Sequence, residues 1–322
     1  MHASEVWHSS SVAARLTRAA LTPASYLYAL GWQTYLKMYD LGFKKPSEPH
    51  YPVICVGNLQ VGGTGKTPVT LAIAKFLKQA GRELVVSCSG YGSPRSEGAT
   101  LAPAGELKAS EWGDEGAMMR WLIPDLKLVV GRNRVEAARL VHEHCPNATM
   151  LMDDGFQHLP LKKHLTIVLD PEQPTNRLCL PAGPYREPRS NRSRADFLIP
   201  GALTFEHQNL TLATAKGIPA SPSRYSVLCA LGRPQRFLED LNRYCAPADG
   251  FAEIKFLGDH DPMSEGTLLR SFPREVPIVV TAKDWVKLRE RPDCAERTFL
   301  VATQIFKVEP LEIVEQRTPT RL

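Results

Sequence analysis

Eight consecutive residues concentrate groups able to do chemistry: Gln60, Val61, Gly62, Gly63, Thr64, Gly65, Lys66 and Thr67. The glycines free the backbone to turn its N–H groups inward and let large anions approach closely. Lys66 adds a point charge, and Thr67 a hydroxyl suited to a hard cation. Together these are the parts of a phosphate cradle, in which the lysine reaches the β- and γ-phosphates and the hydroxyl meets Mg2+. The spacing departs from the usual pattern at one position. Gln60 stands five residues before Gly65, where a glycine is customary. A glycine-rich turn ending by chance in Gly-Lys-Thr is the alternative reading. Placement decides between the two, because the loop lies between an apolar run of strand length, "YPVICVGN", and a helical pattern, "KTPVTLAIAKFLKQAGR". A helix N-terminus favours anions, and Pro68 in its first turn costs nothing because that N–H has no helical partner. A second cluster follows the run "ATMLMDD", where Asp153 and Asp154 stand at the tip of an expected strand. An acid there can complete the Mg2+ environment of such a loop. An Asp-Asp-Gly surface turn is the other reading of these residues.

The elements that must position these groups alternate. Apolar runs "ELVVSCSG", "LKLVVG", "ATMLMDDG" and "HLTIVLD" are separated by helical patterns starting at "DEGAMMRWL" and "RVEAARLVHEHC". Strands alternating with helices predict a parallel sheet covered on both faces. Residues 91–111 read as a long loop rich in Gly, Pro and Ser. The Pro-rich stretch 171–200 is too long and polar for a simple connector, which points to a functional loop. A second α/β pattern starts near residue 224 with "YSVLCALG" and runs through "VPIVVTAKDWVKL". The expected fold is α/β: a P-loop NTPase-like parallel sheet flanked by helices, with a smaller C-terminal α/β domain and an N-terminal amphipathic helix. The expected boundaries are 1–45 for the N-terminal segment, 46–215 for the P-loop domain and 216–322 for the C-terminal domain.

Before the cradle, residues 1–20 read as a polar arm or short helix, and Thr22-Pro23 as an N-cap with proline in the first turn. Tyr28, Trp32, Tyr35 and Tyr39 then fall on one helical face, with Leu36 and Phe43 beside them. Through residue 45 there are five Lys/Arg and two Asp/Glu. An aromatic face with basic ends suits the headgroup layer of an anionic membrane, while docking on the protein's own core is the more usual role of such a stripe. The whole chain of 322 residues carries a net charge of +5, enough to favour anionic partners without choosing among them. No nucleic-acid module accompanies this mild basicity, so nucleic acid is not an expected partner. Seven cysteines without a C-x-x-C spacing argue against a disulfide framework or zinc site and fit a reducing compartment. No signal peptide is expected, and no spanning helix, because no eighteen-residue stretch is uninterruptedly apolar.

In order and spacing, "VGNLQVGGTGKTP", "SGYG", "GDEG", "DDGFQH", "LPAGPYRE" and "GDH…TAKD" resemble the tetraacyldisaccharide 4′-kinase family of Gram-negative bacteria over residues 50–290. The resemblance implies transfer of the ATP γ-phosphate, with Mg2+, to the 4′-hydroxyl of a tetraacyl disaccharide 1-phosphate, giving the lipid A precursor lipid IV-A. It implies a peripheral enzyme on the cytoplasmic face of the bacterial inner membrane. Residue by residue, it implies Lys66 on the β/γ-phosphates, and Thr67, Asp153 or Asp154, and Glu187 around the metal. It further implies Asp114 as catalytic carboxylate paired with His260, and Tyr91, Arg134, His158 and Arg186 on the acceptor or phosphate side. The family's own cradle also lacks glycine at the position of Gln60. Two residues depart from its pattern: Ser89 stands where an arginine is usual, and Gly116 where a proline is.

A sugar hydroxyl needs an acceptor for its proton, either a carboxylate alone or a histidine oriented by one. Domain closure is the expected means of bringing Asp114 and His260 together. The competing reading is a P-loop GTPase or ATPase with a regulatory or scaffold role at the membrane. Guanine reading needs an Asn/Thr-Lys-x-Asp element, and "TAKD" at 281–284 places Lys and Asp side by side instead.

Overall fold

The computed structural model describes residues 3–319. In chain order the first elements are α1 (Ala3–His8), α2 (Val12–Asp40), β1 (Val53–Asn58), α3 (Lys66–Gln79) and β2 (Leu84–Cys88). There follow β3 (Thr100–Leu101), α4 (Ala109–Trp112), α5 (Asp114–Leu122), β4 (Lys127–Val130), α6 (Arg134–His144), β5 (Thr149–Asp153), β6 (Leu165–Leu169) and β7 (Phe197–Ile199). The remainder are β8 (Thr204–Thr214), β9 (Tyr225–Cys229), α7 (Pro234–Tyr244), β10 (Phe251–Phe256), β11 (Ile278–Thr281), α8 (Ala282–Leu288), β12 (Phe299–Glu309) and α9 (Glu312–Arg317). The expected helices and strands of the α/β pattern are present. The loop expected over 91–111 contains β3, α4 and one 3-10 turn. The long strands β8 and β12 have no counterpart in the expected elements; five of the eleven residues of β8 and four of the eleven of β12 are exposed, and neither alternates regularly.

The chain forms two compact units, each discontinuous in sequence. The first takes the chain through residue 84, residues 134–205 and the stretch from 308 on; the second takes 85–133 and 206–307. The continuous spans 46–215 and 216–322 do not describe this arrangement. A contiguous boundary is the simplest inference from composition, whereas compactness follows contacts made far apart in sequence.

In the first unit, β1 lies between β5 and β6, all parallel, and β7 extends the sheet beyond β6. β1 and β5 are buried at every position, as strands covered on both faces must be. Val56 pairs with Asp153 and Asn58 with Leu169, so the loop after β1 leaves the sheet between two neighbouring strand ends. This is where ligands bind in open parallel sheets. In the second unit, β2 and β4 pair parallel with β3 antiparallel at their edge. A separate five-stranded sheet runs in the order β10-β9-β11-β12-β8. The seven cysteines are free, and six of them are buried.

α2 corrects the expected helix start at Thr22. Ser11 is the N-cap, its hydroxyl accepting from the Ala14 N–H, and Pro23 lies inside the helix. A proline deletes one helical hydrogen bond, a loss that tertiary docking can outweigh. The docking is visible: Ser25 Oγ donates to the Cys179 carbonyl at 2.8 Å and accepts from the Ala182 N–H at 2.9 Å. Tyr28 donates to the Arg186 carbonyl, and Gln33 to Asn191. The aromatic stripe therefore belongs to the docked side, where Trp32, Tyr35 and Tyr39 are half-buried and stack edge to face. The outward side carries Val12, Leu16, Tyr26, Leu27 and Leu30, each 62–70% exposed. Among the described residues no helix is long and apolar enough to cross a membrane.

Candidate active site

β1 delivers the chain into the cradle, and the cradle is held from outside by the Pro-rich loop. Gln60 forms an antiparallel bridge with Tyr185. The Val61 N–H donates to the Pro184 carbonyl at 2.8 Å, and the Arg186 N–H donates to the Leu59 carbonyl at 2.7 Å. Gln60 thus occupies a strand-like position stapled to 184–186, where left-handed freedom is not needed. Asn58 supports the turn from within, its amide donating to the Gln60 carbonyl and to Thr64 Oγ1. Glycine is required at Gly62 and Gly65, with φ of +105° and +91°. Gly65 caps α3, and Lys66 and Thr67 open its first turn.

Thr67 Oγ1 donates to Asp153 Oδ2 at 2.9 Å, and Thr70 Oγ1 donates to Asp153 Oδ1 at 2.9 Å. Asp153 is buried. Burial pushes its carboxyl above the ordinary range, and the Asp154 charge adds to this against the two threonine bonds and Lys66. Lys66 Nζ lies 3.6 Å from Asp154 Oδ2, and the Arg186 guanidinium contacts both Asp154 oxygens at 2.9 and 3.0 Å. Asp154 itself has a φ of +55°, a left-handed conformation that Asp adopts more readily than most non-glycine residues. Cradle, strand-tip acids and Arg186 are therefore one connected cluster in the first unit.

The other expected residues of this unit serve that cluster indirectly. Arg134 is buried and donates to the Asp153 carbonyl, bracing the strand tip from behind. Glu187 is fully buried and accepts from Gln157, Asn191 and Arg194. Its oxygens are occupied in tying the "LPAGPYRE" loop to "DDGFQH", which leaves the geometry without support for a metal-ligand role. His158 is held neutral, its pKa brought down to about 4 by burial and by the Lys163 and Arg134 charges. A neutral ring supplies no positive charge to a phosphate. Thr70, Asn58 and Gln157 also bond into this cluster, although no motif singles them out. Thr70 alone left a signal, three residues after Thr67 on one helical face.

In the second unit, α5 opens with Asp114, and His260 Nδ1 lies 3.0 Å from Asp114 Oδ2 across 146 residues of sequence. The pair is already formed within one unit, so domain closure is not needed to assemble it. Burial alone would raise the Asp114 carboxyl, but the His260 hydrogen bond and the Lys283 charge hold it below the ordinary range. His260 is raised, first by its bond to Asp114. Asp114 Oδ1 is buried without a hydrogen-bond partner. His260 has a φ of +60°, and the ring of the exposed Tyr91 lies 5.1 Å from its own. A Cβ added at Gly116 would meet Cys88 Sγ and Val130 Cγ2 at 3.6 Å, ordinary contact, so the fold does not require a glycine there.

A family model described as tetraacyldisaccharide-1-P 4′-kinase matches residues 17–316. The chain belongs to this family. The tetraacyldisaccharide 4′-kinase of Pelobacter propionicus is 39% identical over 328 residues, spanning 92% of this chain and 90% of its own. That of Chlorobaculum tepidum is 30% identical, spanning 90% and 92%. Among solved structures, LpxK from Aquifex aeolicus in complex with ATP superimposes with a TM-score of 0.78 at 26% identity, covering 94% of this chain and 98% of that one. The family motifs acquire physical content from the geometry. "DDGFQH" and "LPAGPYRE" interlock through Asp154–Arg186 and Gln157–Glu187. "GDEG" and "GDH" meet as Asp114–His260.

Proposed function

We propose that this member of the 4′-kinase family transfers the γ-phosphate of ATP to the 4′-hydroxyl of a tetraacylated glucosamine disaccharide 1-phosphate. A glycine cradle alone serves any nucleotide. The observation that carries the kinase reading is the Asp114–His260 pair, whose free Asp114 Oδ1 provides a proton acceptor for an alcohol. The two 4′-kinase relatives and the ATP bound to the Aquifex protein support the donor and the reaction class.

Lys66 and the cradle N–H groups, from Gln60 to Thr67, hold the β- and γ-phosphates, and Arg186 answers the remaining phosphate charge. In the second unit Asp114 takes the proton of the acceptor hydroxyl while His260 steadies Oδ2, and ADP leaves as the γ-phosphoryl group is transferred. Such base assistance contributes about 10²–10⁴-fold in rate. Tyr91, exposed beside His260, offers an aromatic surface to the sugar. The donor set at Thr67, Asp153 and Asp154 fits Mg2+. All three offer hard oxygens, and the buried Asp153 carboxylate needs a counter-charge. Among the described residues no three His, Cys, Asp or Glu side chains gather into a metal cluster. Mg2+ is usually held by one or two protein carboxylates together with substrate phosphates and water. When bound, Mg2+ would screen the phosphate charge.

The acceptor's acyl chains lie in a bilayer, so the enzyme works at a membrane surface. The outward side of α2 supplies the contact, with Arg15 and Lys37 near its ends. The inner membrane, on the side that supplies ATP, is the location this chemistry requires. The test is incubation of the full chain with γ-labelled ATP, Mg2+ and a tetraacyl disaccharide 1-phosphate in mixed micelles. Label on the lipid is the expected result. ATP binding without lipid labelling would leave only a nucleotide-binding scaffold.

A further inference from the structure

The "TAKD" stretch serves no nucleotide-reading role, yet its members are placed with care. Thr281 caps α8, its hydroxyl accepting from the Asp284 N–H at 3.1 Å. Asp284 is buried and accepts from the Ala230 N–H and from Thr281 Oγ1. These bonds fix the first turn of α8. They leave Lys283, between them, directed at the Asp114–His260 pair. Its Nζ lies 3.3 Å from His260 Nε2, 3.6 Å from Asp114 Oδ2 and 3.7 Å from Asp259 Oδ1.

A lysine ammonium has donors only. In the neutral ring it donates to Nε2 at 3.3 Å, and that nitrogen then carries a lone pair and no proton. The imidazole proton is then on Nδ1, where it donates to Asp114 Oδ2. Lys283 thereby selects one of two tautomers and occupies the nitrogen that would otherwise compete with Asp114 as proton acceptor. We propose that Lys283 is a positioning residue for the reaction, anchoring His260 at Nε2 so that the ring presents Nδ1–H to Asp114 and leaves Asp114 Oδ1 to meet the acceptor hydroxyl. This rests on the kinase reading for its consequence, not for its geometry.

Every charged or titratable group facing His260 bears on the same balance. Asp114 from α5 draws the ring toward the imidazolium, as does Asp259 on its own loop, at 4.0 Å from Nε2. Lys283 from α8 opposes them, and Tyr91 adds an uncharged ring. Lys287, also on α8, is held by Asp284 and the Asp261 carbonyl, and its charge acts on Asp114. Removing Lys283 takes away the named cation that restrains His260, so the ring titrates at higher pH and gains freedom to rotate.

The test has two readouts on the full chain. Nitrogen-15 NMR of the histidine rings reports the tautomer and titration of His260, assigned with His260→Gln. Lys283→Met and Lys283→Gln are expected to abolish the fixed Nδ1–H tautomer and raise the titration midpoint. In the kinase assay they are expected to lower kcat by about 10- to 100-fold, the scale of misplacing a reacting group, with KM for ATP unchanged. Lys283→Arg, which keeps a charge, is expected to recover most of the loss. An unmoved His260 spectrum in both neutral variants overturns the proposal, as does a loss confined to KM for ATP. A shifted spectrum in a protein that labels no lipid upholds the placement of Lys283 and overturns the kinase reading instead.

Discussion

Replacing Asp114 with asparagine isolates the proton-accepting step. The side chain keeps its size, and the amide oxygen can still receive the His260 Nδ1–H at Oδ2, where the present distance is 3.0 Å. What disappears is the negative charge and the basic Oδ1. If Oδ1 takes the hydroxyl proton, kcat falls by about 10²–10⁴, which is roughly 3–5.5 kcal/mol of transition-state stabilisation. KM for ATP holds, because the cradle, Asp153 and Asp154 belong to the other unit and lose nothing. Stability also declines. A hydrogen bond to a charged partner contributes about 1.5–3 kcal/mol, and the change leaves Lys283 without one of its two carboxylates. The pH dependence of that contribution has a definite sign. The folded carboxyl titrates below its ordinary 3.8, so the contribution is present above pH 3.8 and is lost as pH falls through the lower folded value. Steady-state kinetics at saturating lipid, with thermal melts of both proteins, measure the two effects. An Asp114→Asn enzyme that turns over within threefold of the parent would refute the assignment of Asp114 as proton acceptor.

Two further outcomes follow from the geometry. Gly65→Ala places a Cβ 2.8 Å from the Phe205 ring at a φ of +91°. The left-handed conformation alone costs an L-residue about 1–2 kcal/mol, so nucleotide affinity measured by calorimetry should fall about tenfold or more, and an unchanged affinity shows that the cradle is not the nucleotide site. Changing Leu16, Leu27 and Leu30 together to serine removes about 1–2 kcal/mol of available lipid burial at each position. Co-sedimentation with anionic phospholipid vesicles should drop by at least two orders of magnitude while the helix content by circular dichroism stays constant. Undiminished vesicle binding eliminates this face as the membrane contact.

Much of the first unit was legible in the sequence because it is written locally. The run before Gly57, the glycines, Lys66-Thr67 and the helical period of α3 lie within thirty residues and obey short-range rules of turn, cap and periodicity. Asp153 and Asp154 were legible for the same reason, as acids at the end of an apolar run. Gln60 was readable only as a departure; its reason is a bridge to Tyr185, and strand pairing at that separation leaves no local trace. Propensity places the start of α2 at Thr22-Pro23, whereas the helix begins at Val12 and is anchored through Ser25 and Tyr28 by bonds to residues 179–186. The same docking chose between the two readings of its aromatic stripe, since periodicity shows that a helix has an apolar stripe but not what covers it.

What the sequence determined alone is therefore the alternating strands and helices around the cradle and the identity of the cradle itself, since backbone conformation and capping respond to near neighbours. Tertiary structure decided which distant groups became partners. Asp114, His260 and Lys283 come from three separate stretches of one unit, and their burial together sets the protonation of each. Hydrogen-bond partners and desolvation are properties of a folded surrounding, and no window along the chain contains them.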